Sequence, residues 1–367
     1  LHRQPNHPLS IIKNKIHQHF SNTYKTQGEP VFQLFDNMAP SVTTTQNFDE
    51  LLVGASHPSR SPSDSFYLDP TTVLRTHTSA HQTELMRKGH RAFLATGDCY
   101  RRDEIDSSHY PVFHQMEGVR VFRPDEVMHV ASVFKRPPID TSYHTQGVVR
   151  ALFGNAPMRW NKDYFPFTDP SYELEVCSSD ARCFQVAYKN RKGDWLEVLG
   201  CGVIHKDVLR NGGFQGQVGW AFGIGLERLA MPLFDIPDIR LFWSDGKPMS
   251  RLIRLTDARF GSQFKDGTIN RFKPFSQYAV CFKDVAFWVN GEFHENDFAA
   301  VVRETAGDLV EQLVLLDTFT HPKTKKVSHC YRLNYRSLER TLTNEEVDSI
   351  QDRVIQALTS NLPLTIR

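Results

Sequence analysis

A chain of 367 residues is long enough for two domains, each burying a core of its own. Its 43 Lys and Arg against 42 Asp and Glu leave a formal charge of +1, which excludes a globally basic polyanion binder and confines any nucleic-acid contact to a local patch. Six scattered cysteines with no C-x-x-C pair disfavour a disulfide framework or a structural zinc site and point to a reducing compartment; no apolar run reaches membrane-spanning length.

The first predicted element is an amphipathic helix over Pro8–Tyr24, with Leu9, Ile12, Ile16 and Phe20 at 3–4 spacing and Ser10 as candidate cap. Its other face carries Lys13, Lys15, His17 and His19, read as solvated, with nucleic-acid phosphate as the alternative contact. Short extended runs follow at Val31–Phe35 and Ser41–Thr45, then a turn-rich stretch at His57–Leu68 and a short helix expected through Leu85–Phe93. Gly97–Phe122 reads as two antiparallel strands joined by a polar loop. Strand-like blocks recur at Tyr164–Val176, Phe184–Tyr188, Trp195–Ile204 and Gly219–Phe222, the last running into a helix that bears Glu227 and Arg228. This is an α+β pattern, and with no G-x-G-x-x-G in a βαβ unit and no Walker loop the parallel-sheet nucleotide folds lack support.

Ser244–Gln277 is rich in Lys, Arg, Gly, Ser and Asp and reads as a linker. Beyond it come a strand (Tyr278–Val289), a helix (Glu295–Val310, candidate cap Asn296), two strands (Leu313–Thr320, Ser328–Arg336), a helix (Asn344–Leu358, capped by Thr343 or Asn344) and a strand (Leu362–Arg367). That β-α-β-β-α-β order is ferredoxin-like. The expected division is therefore a catalytic domain over 1–245, a linker over 246–273 and a second domain over 274–367.

The hairpin mixes phosphate-reading, base-stacking and ammonium-reading groups: Arg101, Arg102, Asp103, His109, Phe113, Gln115 and Glu117. Taken alone it reads as a solvated hairpin whose charges pair with each other. Gln115 and Glu117 lie two apart on a strand, so they face one side and can jointly receive an ammonium group. Phe165 and Phe167 flank Pro166 and can point one way into an apolar slot, although two core phenylalanines would look the same.

YRRDE…FHQMEG and GIGLERLAM resemble the second and third motifs of class II aminoacyl-tRNA synthetases. RTHTSAHQ (Arg75–Gln82), YFPFTDPSYELEV (Tyr164–Val176) and WLEVLGCGV (Trp195–Val203) narrow the resemblance to the phenylalanyl-tRNA synthetases in their one-chain mitochondrial form. These blocks cover nearly the whole chain in the right order. The resemblance implies a class II antiparallel-sheet catalytic domain followed by a ferredoxin-like anticodon-binding domain. It implies ATP as substrate with Mg²⁺, phenylalanine and tRNA(Phe) as partners, a monomer without membrane contact, and organellar protein synthesis in the mitochondrial matrix. Leu1 in place of Met leaves a targeting segment ahead of the chain open.

The resemblance also assigns residues. Arg101 would meet the α-phosphate, His109 the outer phosphates, and Phe113 with Arg228 would sandwich adenine; these cations suit a transition state that spreads charge over phosphoryl oxygens. His77, Ser79, Ala80, His81 and Gln82 form the substrate loop, Gln115 and Glu117 the ammonium corner with Glu197 as a second candidate carboxylate, and Met116 joins the substrate-binding set. Phe165, Phe167, Ala221 and Phe222 would wall the slot, and Ser108 and Tyr110 join the substrate-binding set with Asp103, which like Glu104 stays open between adenine contact, metal and plain surface pairing. No protein metal ligand is assigned. Lys323, Lys325, Lys326, Arg332 and Arg336 are the tRNA-contacting cations, with a solvated basic rim as the alternative. Because the activation residues precede residue 245, a chain ending there is expected to keep amino-acid activation. The chain departs from the family in a short 123–149 region containing Arg136-Pro137-Pro138 and in extra residues over Lys247–Thr256. An RNA-binding relative that has lost catalysis and another ATP-dependent ligase on the same fold are the rival readings.

Overall fold

Helix α1 (Pro8–Thr23) starts with Pro8 in its first turn, and its cap is His7 rather than Ser10: His7 Nδ1 accepts from the Leu9 N–H at 3.2 Å. Leu9, Ile12, Ile16 and Phe20 are buried as the spacing requires. The other face is only partly solvated: Lys15, His17 and His19 are half-buried. Lys13 is 6% exposed and pairs with Asp36 at 2.5 Å, while burial, reinforced by Lys13, pushes His17 down to about 4. A period of 3.6 marks one buried face and is silent about a second contact on the helix's flank.

The computed structural model describes residues 1–126, 139–177, 195–243, 278–337 and 340–367. The strand expected at Phe184–Tyr188, the Arg136–Pro138 stretch, the linker and the 245 boundary lie outside the described residues. The described chain forms two compact units, and the first comprises Leu1–Tyr100 and Val112–Ile236.

In the first unit, seven strands make one sheet: β1 (Gln33–Phe35), β2 (Ala92–Tyr100), β3 (Val112–Val121), β4 (Met158–Phe165), β5 (Thr168–Cys177), β6 (Trp195–Ile204) and β7 (Gly219–Gly225). The order is β1-β2-β3-β7-β6-β5-β4; only β1–β2 is parallel. The unit also holds helices α2 (Gln82–Arg87), α3 (Ile139–Phe153), α4 (Lys206–Asn211) and α5 (Leu226–Phe234), a short helix at Thr44–Asn47 and two small sheets, one pairing Lys25–Thr26 with Glu29–Pro30 and one built from Ser41–Thr43, Tyr67–Asp69 and Thr72–Leu74. The helix expected through Phe93 stops at Arg87, because Gly89 takes φ +89° and Phe93 already lies in β2. Tyr164–Val176 is a hairpin rather than one strand, with Phe165 paired to Thr168 across the Pro166–Phe167 turn.

Register sets the two faces. Ala95 pairs with Glu117, Gly97 with Gln115, and Ala221 with Val119. Period-two alternation therefore sends Gln115, Glu117, Val119 and Ala221 to one face and His114, Met116, Trp220 and Phe222 to the other. The second face is covered by α1, where Phe20 stacks on Phe222 at 5.6 Å. The first face holds a core of Val42, Phe48, Ala80, Phe93, Val119, Ile204 and Ala221.

The second unit contains β8 (Cys281–Val289), α6 (Glu295–Ala306), β9 (Val310–Thr320), β10 (Val327–Tyr335), α7 (Asn344–Asn361) and β11 (Leu364–Ile366). The antiparallel order β9-β10-β8-β11 is the ferredoxin-like topology the element order implied. The cap of α6 is His294, not Asn296, whose backbone N–H is instead the donor to His294 Nδ1; α7 has a Thr343–Glu346 capping box. Both helices pack on one sheet face around Val285, Phe287, Phe298, Tyr331, Leu333 and Val354. The loop Arg101–Pro111 between β2 and β3 belongs to this unit. Ile105 is buried in its core, and its carbonyl accepts from Leu313 N–H at 3.0 Å. Arg303 donates to the Asp103 and Glu104 carbonyls at 3.3 and 2.9 Å, and Arg102 pairs with Asp297 at 3.2 Å.

Candidate active site

Glu117 is the most unusual residue of the first unit. It is 3% exposed, and its Oε2 has no hydrogen-bond partner among the described residues. Burial pushes its carboxyl up to about 8, against the opposing pull of a hydrogen bond from Ser79. A neutral buried acid with one bare oxygen is incomplete; an ammonium group beside it would restore both charge and partner. Two strand positions away, Gln115 Oε1 accepts from the Cys99 thiol at 3.5 Å. Gln82 is buried nearby in sequence to Ser79, and its Oε1 also lacks a partner among the described residues.

Arg75 fixes the loop that carries Ser79 and Gln82. Its buried guanidinium donates to the Asp98 carbonyl at 2.6 Å, to Asp98 Oδ1 at 3.0 Å, to the Met38 carbonyl at 3.1 Å and to His81 Nε2 at 2.9 Å. The space it fills is Gly97's: a Cβ there would stand 2.1 Å from Arg75 Nη2. His81, expected at the substrate, is instead held between Arg75 and Glu84, with its pKa lowered by burial. Its Nε2 accepts, so its proton sits on Nδ1. Ala80 is fully buried in the core, which removes its side chain from the substrate loop.

Phe165 and Phe167 lie together, and Phe167 packs against the core cluster that contains Ala221. The two rings stack at 5.9 Å and 12°, and His77 lies 6.2 Å from Phe167. Phe165 lies over bare backbone: a Cβ on Gly200 would come within 2.7 Å of its Cζ. Phe222 and Met116 are corrections. Both point to the opposite face, where Phe222 packs on Phe20 and Trp220 and Met116 is fully buried, because neighbours in a strand alternate.

Beyond Gln115 the site is charged. Arg228 pairs with Glu197 at 2.6 Å. Glu173 is pushed up to about 7 by burial and by Glu197 and Asp163, with Arg228 opposing. The buried His114 and Glu227 pair at 2.6 Å just behind Arg228 in sequence. Arg101, Asp103, Ser108, His109 and Tyr110 ride on the loop grouped with the second unit. There Asp106 holds His109 Nδ1 at 2.7 Å and accepts from the Ser108 and His109 N–H groups; these bonds outweigh burial and hold its carboxyl well below the usual range. Burial raises the Asp103 pKa, countered by Arg101, His109 and Arg303. Tyr110 stacks on Trp243 at 5.5 Å and donates to Asp308 at 3.0 Å, so it supports the loop.

Residues 3–251 match the class II core domain of tRNA synthetases (F), and residues 276–367 match the ferredoxin-fold anticodon binding domain. The chloroplastic/mitochondrial phenylalanine--tRNA ligase of Arabidopsis thaliana is 48% identical over all of this chain and 80% of its own length. The mitochondrial phenylalanine--tRNA ligase of Mus musculus is 44% identical over 97% of this chain and 80% of its own. That of Saccharomyces cerevisiae is 36% identical over all of this chain and 89% of its own.

The chain belongs to the class II phenylalanine--tRNA ligase family.

In this ligase-family chain, Lys323, Lys325 and Lys326 are exposed in the turn between β9 and β10. Arg332 pairs with Asp284 at 2.7 and 2.8 Å while lying 4.3 Å over the Phe282 ring, and Arg336 bonds Glu311 at 2.9 Å. Sequence reasoning missed the aromatic rings beside them. Phe282 and Trp288 in β8 and Phe319 in β9 share the sheet face away from the helices, and Arg367 lies 5.5 and 5.7 Å over Trp288 and Phe319. The alternation of Phe282 and Trp288 against core Val285 and Phe287 was the available signal. Arg75, Cys99, His114, Glu173 and Glu227 were also missed as parts of the site. Glu227 and Arg75 lay within the quoted motifs, and Glu173 carried a sign as an acid within YELEV on the strand beside that of Glu197.

Proposed function

We propose that this protein is the ATP-dependent phenylalanine--tRNA ligase of mitochondria, acting in the matrix as a monomer. Phenylalanine's ammonium is received by Glu117, Gln115 and Ser79, and its ring enters the slot of Phe165 and Phe167 ending at Ala221. Its carboxylate attacks the α-phosphorus of ATP, pyrophosphate leaves, and the terminal adenosine 2′-hydroxyl of tRNA(Phe) then takes the aminoacyl group from AMP. Arg101 and His109 neutralise phosphoryl charge, and Phe113 and Arg228 flank adenine. The chemistry of Glu173 and Glu197 fits Mg²⁺, which takes one or two carboxylates plus substrate phosphates, and a cation there would relieve the crowding that raises Glu173. Mg²⁺ would supply charge neutralisation at the phosphate oxygens.

The catalytic domain is assigned to 1–245, the linker to 246–273 and the anticodon-binding domain to 274–367. Lys323, Lys325, Lys326 and Arg332 meet tRNA phosphates, and the rings of Phe282, Trp288 and Phe319 offer stacking surfaces for unpaired bases. The observation that carries the reading is the buried Glu117 carboxyl with one bare oxygen, on the sheet face it shares with Ala221. ATP–pyrophosphate exchange with each of the twenty amino acids tests it: phenylalanine should stand far above the rest, and a preference for a charged or aliphatic amino acid would overturn it.

A further inference from the structure

His114 stands between Phe113 and Gln115 but faces the other side of β3. The β3–β7 ladder ends at the pair Gln115–Gly225, where the chain leaves the sheet as α5. One residue further along β3, the His114 N–H points to where a strand no longer runs. It donates to Glu227 Oε2 at 2.8 Å, and His114 Nδ1 lies 2.6 Å from Glu227 Oε1. Both side chains are almost dry, at 2% and 5% exposure. A single carboxylate thus replaces the missing ladder bond and grips the ring of the same residue. Two bonds to one residue restrict both sliding and rotation of the helix end against the strand. A carboxylate in the first turn of α5 is also favoured by the helix dipole.

We propose that Glu227 and His114 are positioning residues that set the separation between Phe113 on β3 and Arg228 on α5, and so the fit of the ATP end of the site. The inference rests on the reading of Phe113 and Arg228 as the walls of the adenine slot. Glu227 is adjacent in sequence to Arg228, as His114 is to Phe113, so the clamp holds the two walls from behind and touches no substrate. The phenylalanine end is held separately, by the Arg75 hub.

The test is pyrophosphate exchange by the full chain carrying Glu227→Ala, Glu227→Gln, His114→Ala or Phe113→Ala, with KM measured for both substrates. Glu227→Ala should raise the KM for ATP ~10- to 100-fold while the KM for phenylalanine stays within ~3-fold. Glu227→Gln should recover most of that loss, because a neutral His114 can switch tautomer and accept from the amide. His114→Ala keeps the backbone bond and should fall between them. Glu227→Ala combined with Phe113→Ala should cost less than the sum of the two. Should Glu227→Ala not fold, Glu227→Gln and His114→Ala carry the same comparison. Equal rises in both KM values, or additivity with Phe113→Ala, would overturn the positioning role while leaving the slot reading intact. An unchanged ATP KM in Phe113→Ala alone would remove the slot reading and the proposal together.

Discussion

Protonation of Glu117 couples phenylalanine binding to pH. With its carboxyl near 8, only roughly 10% of the empty sites hold the ionised form at pH 7, and half do at pH 8. An ammonium ligand selects the ionised form, so apparent affinity scales with that fraction and should rise ~5-fold between pH 7 and 8. Binding at pH 7 should release close to one proton per phenylalanine. The acid's folded pKa lies above the 4.5 of a free glutamate, so its favourable contribution to stability is fully present below about 4.5 and is lost as pH rises through about 8. The unliganded protein should therefore lose stability across that window, and Glu117→Gln should abolish this part of the slope. Titration calorimetry in two buffers of different ionisation heat reads the proton release directly. Affinity that is flat from pH 6 to 8, with no proton released, would refute the assignment of Glu117 to the ammonium.

Ala221 is buried on the site face, so Ala221→Gly should admit para-bromophenylalanine in pyrophosphate exchange while sparing phenylalanine; loss of melting temperature with unchanged selectivity would show that it only packs. Gly97→Ala places a methyl 2.1 Å from Arg75 Nη2 and should cost ~1–3 kcal/mol in denaturant unfolding and raise the KM for phenylalanine. Truncation after residue 245 should abolish most exchange, reversing the expectation from residue order. It would strip Arg303, Asp297, Asp308 and Leu313 from the loop that carries Arg101 and His109. Full exchange by a folded truncated chain would contradict that dependence.

Period-two alternation made Gln115 and Glu117 legible as a pair, and the same rule, applied one residue more strictly, separates Ala221 from Phe222. In GWAFGIG the large residues Trp220, Phe222 and Ile224 line the face covered by α1, and Ala221, Gly223 and Gly225 leave room on the site face. The ferredoxin-like element order was readable because each helix and strand there has its own local period. What was not readable is long-range. No local pattern announces that Arg75 fills the space beside Gly97, or that Ile105 in a polar loop joins the core of the second unit. His81 shows the same limit: its place in RTHTSAHQ suggested a ligand, whereas Arg75 and Glu84 already occupy both ring nitrogens.

The most direct measurement is transfer of labelled phenylalanine to tRNA(Phe) by the full chain, with Glu117→Gln in parallel. An alkali-labile ester on the terminal adenosine, dependent on ATP and phenylalanine, is the expected product, and it should fall steeply in the variant. RNA binding without ester formation, or an ester formed equally well by Glu117→Gln, would contradict it.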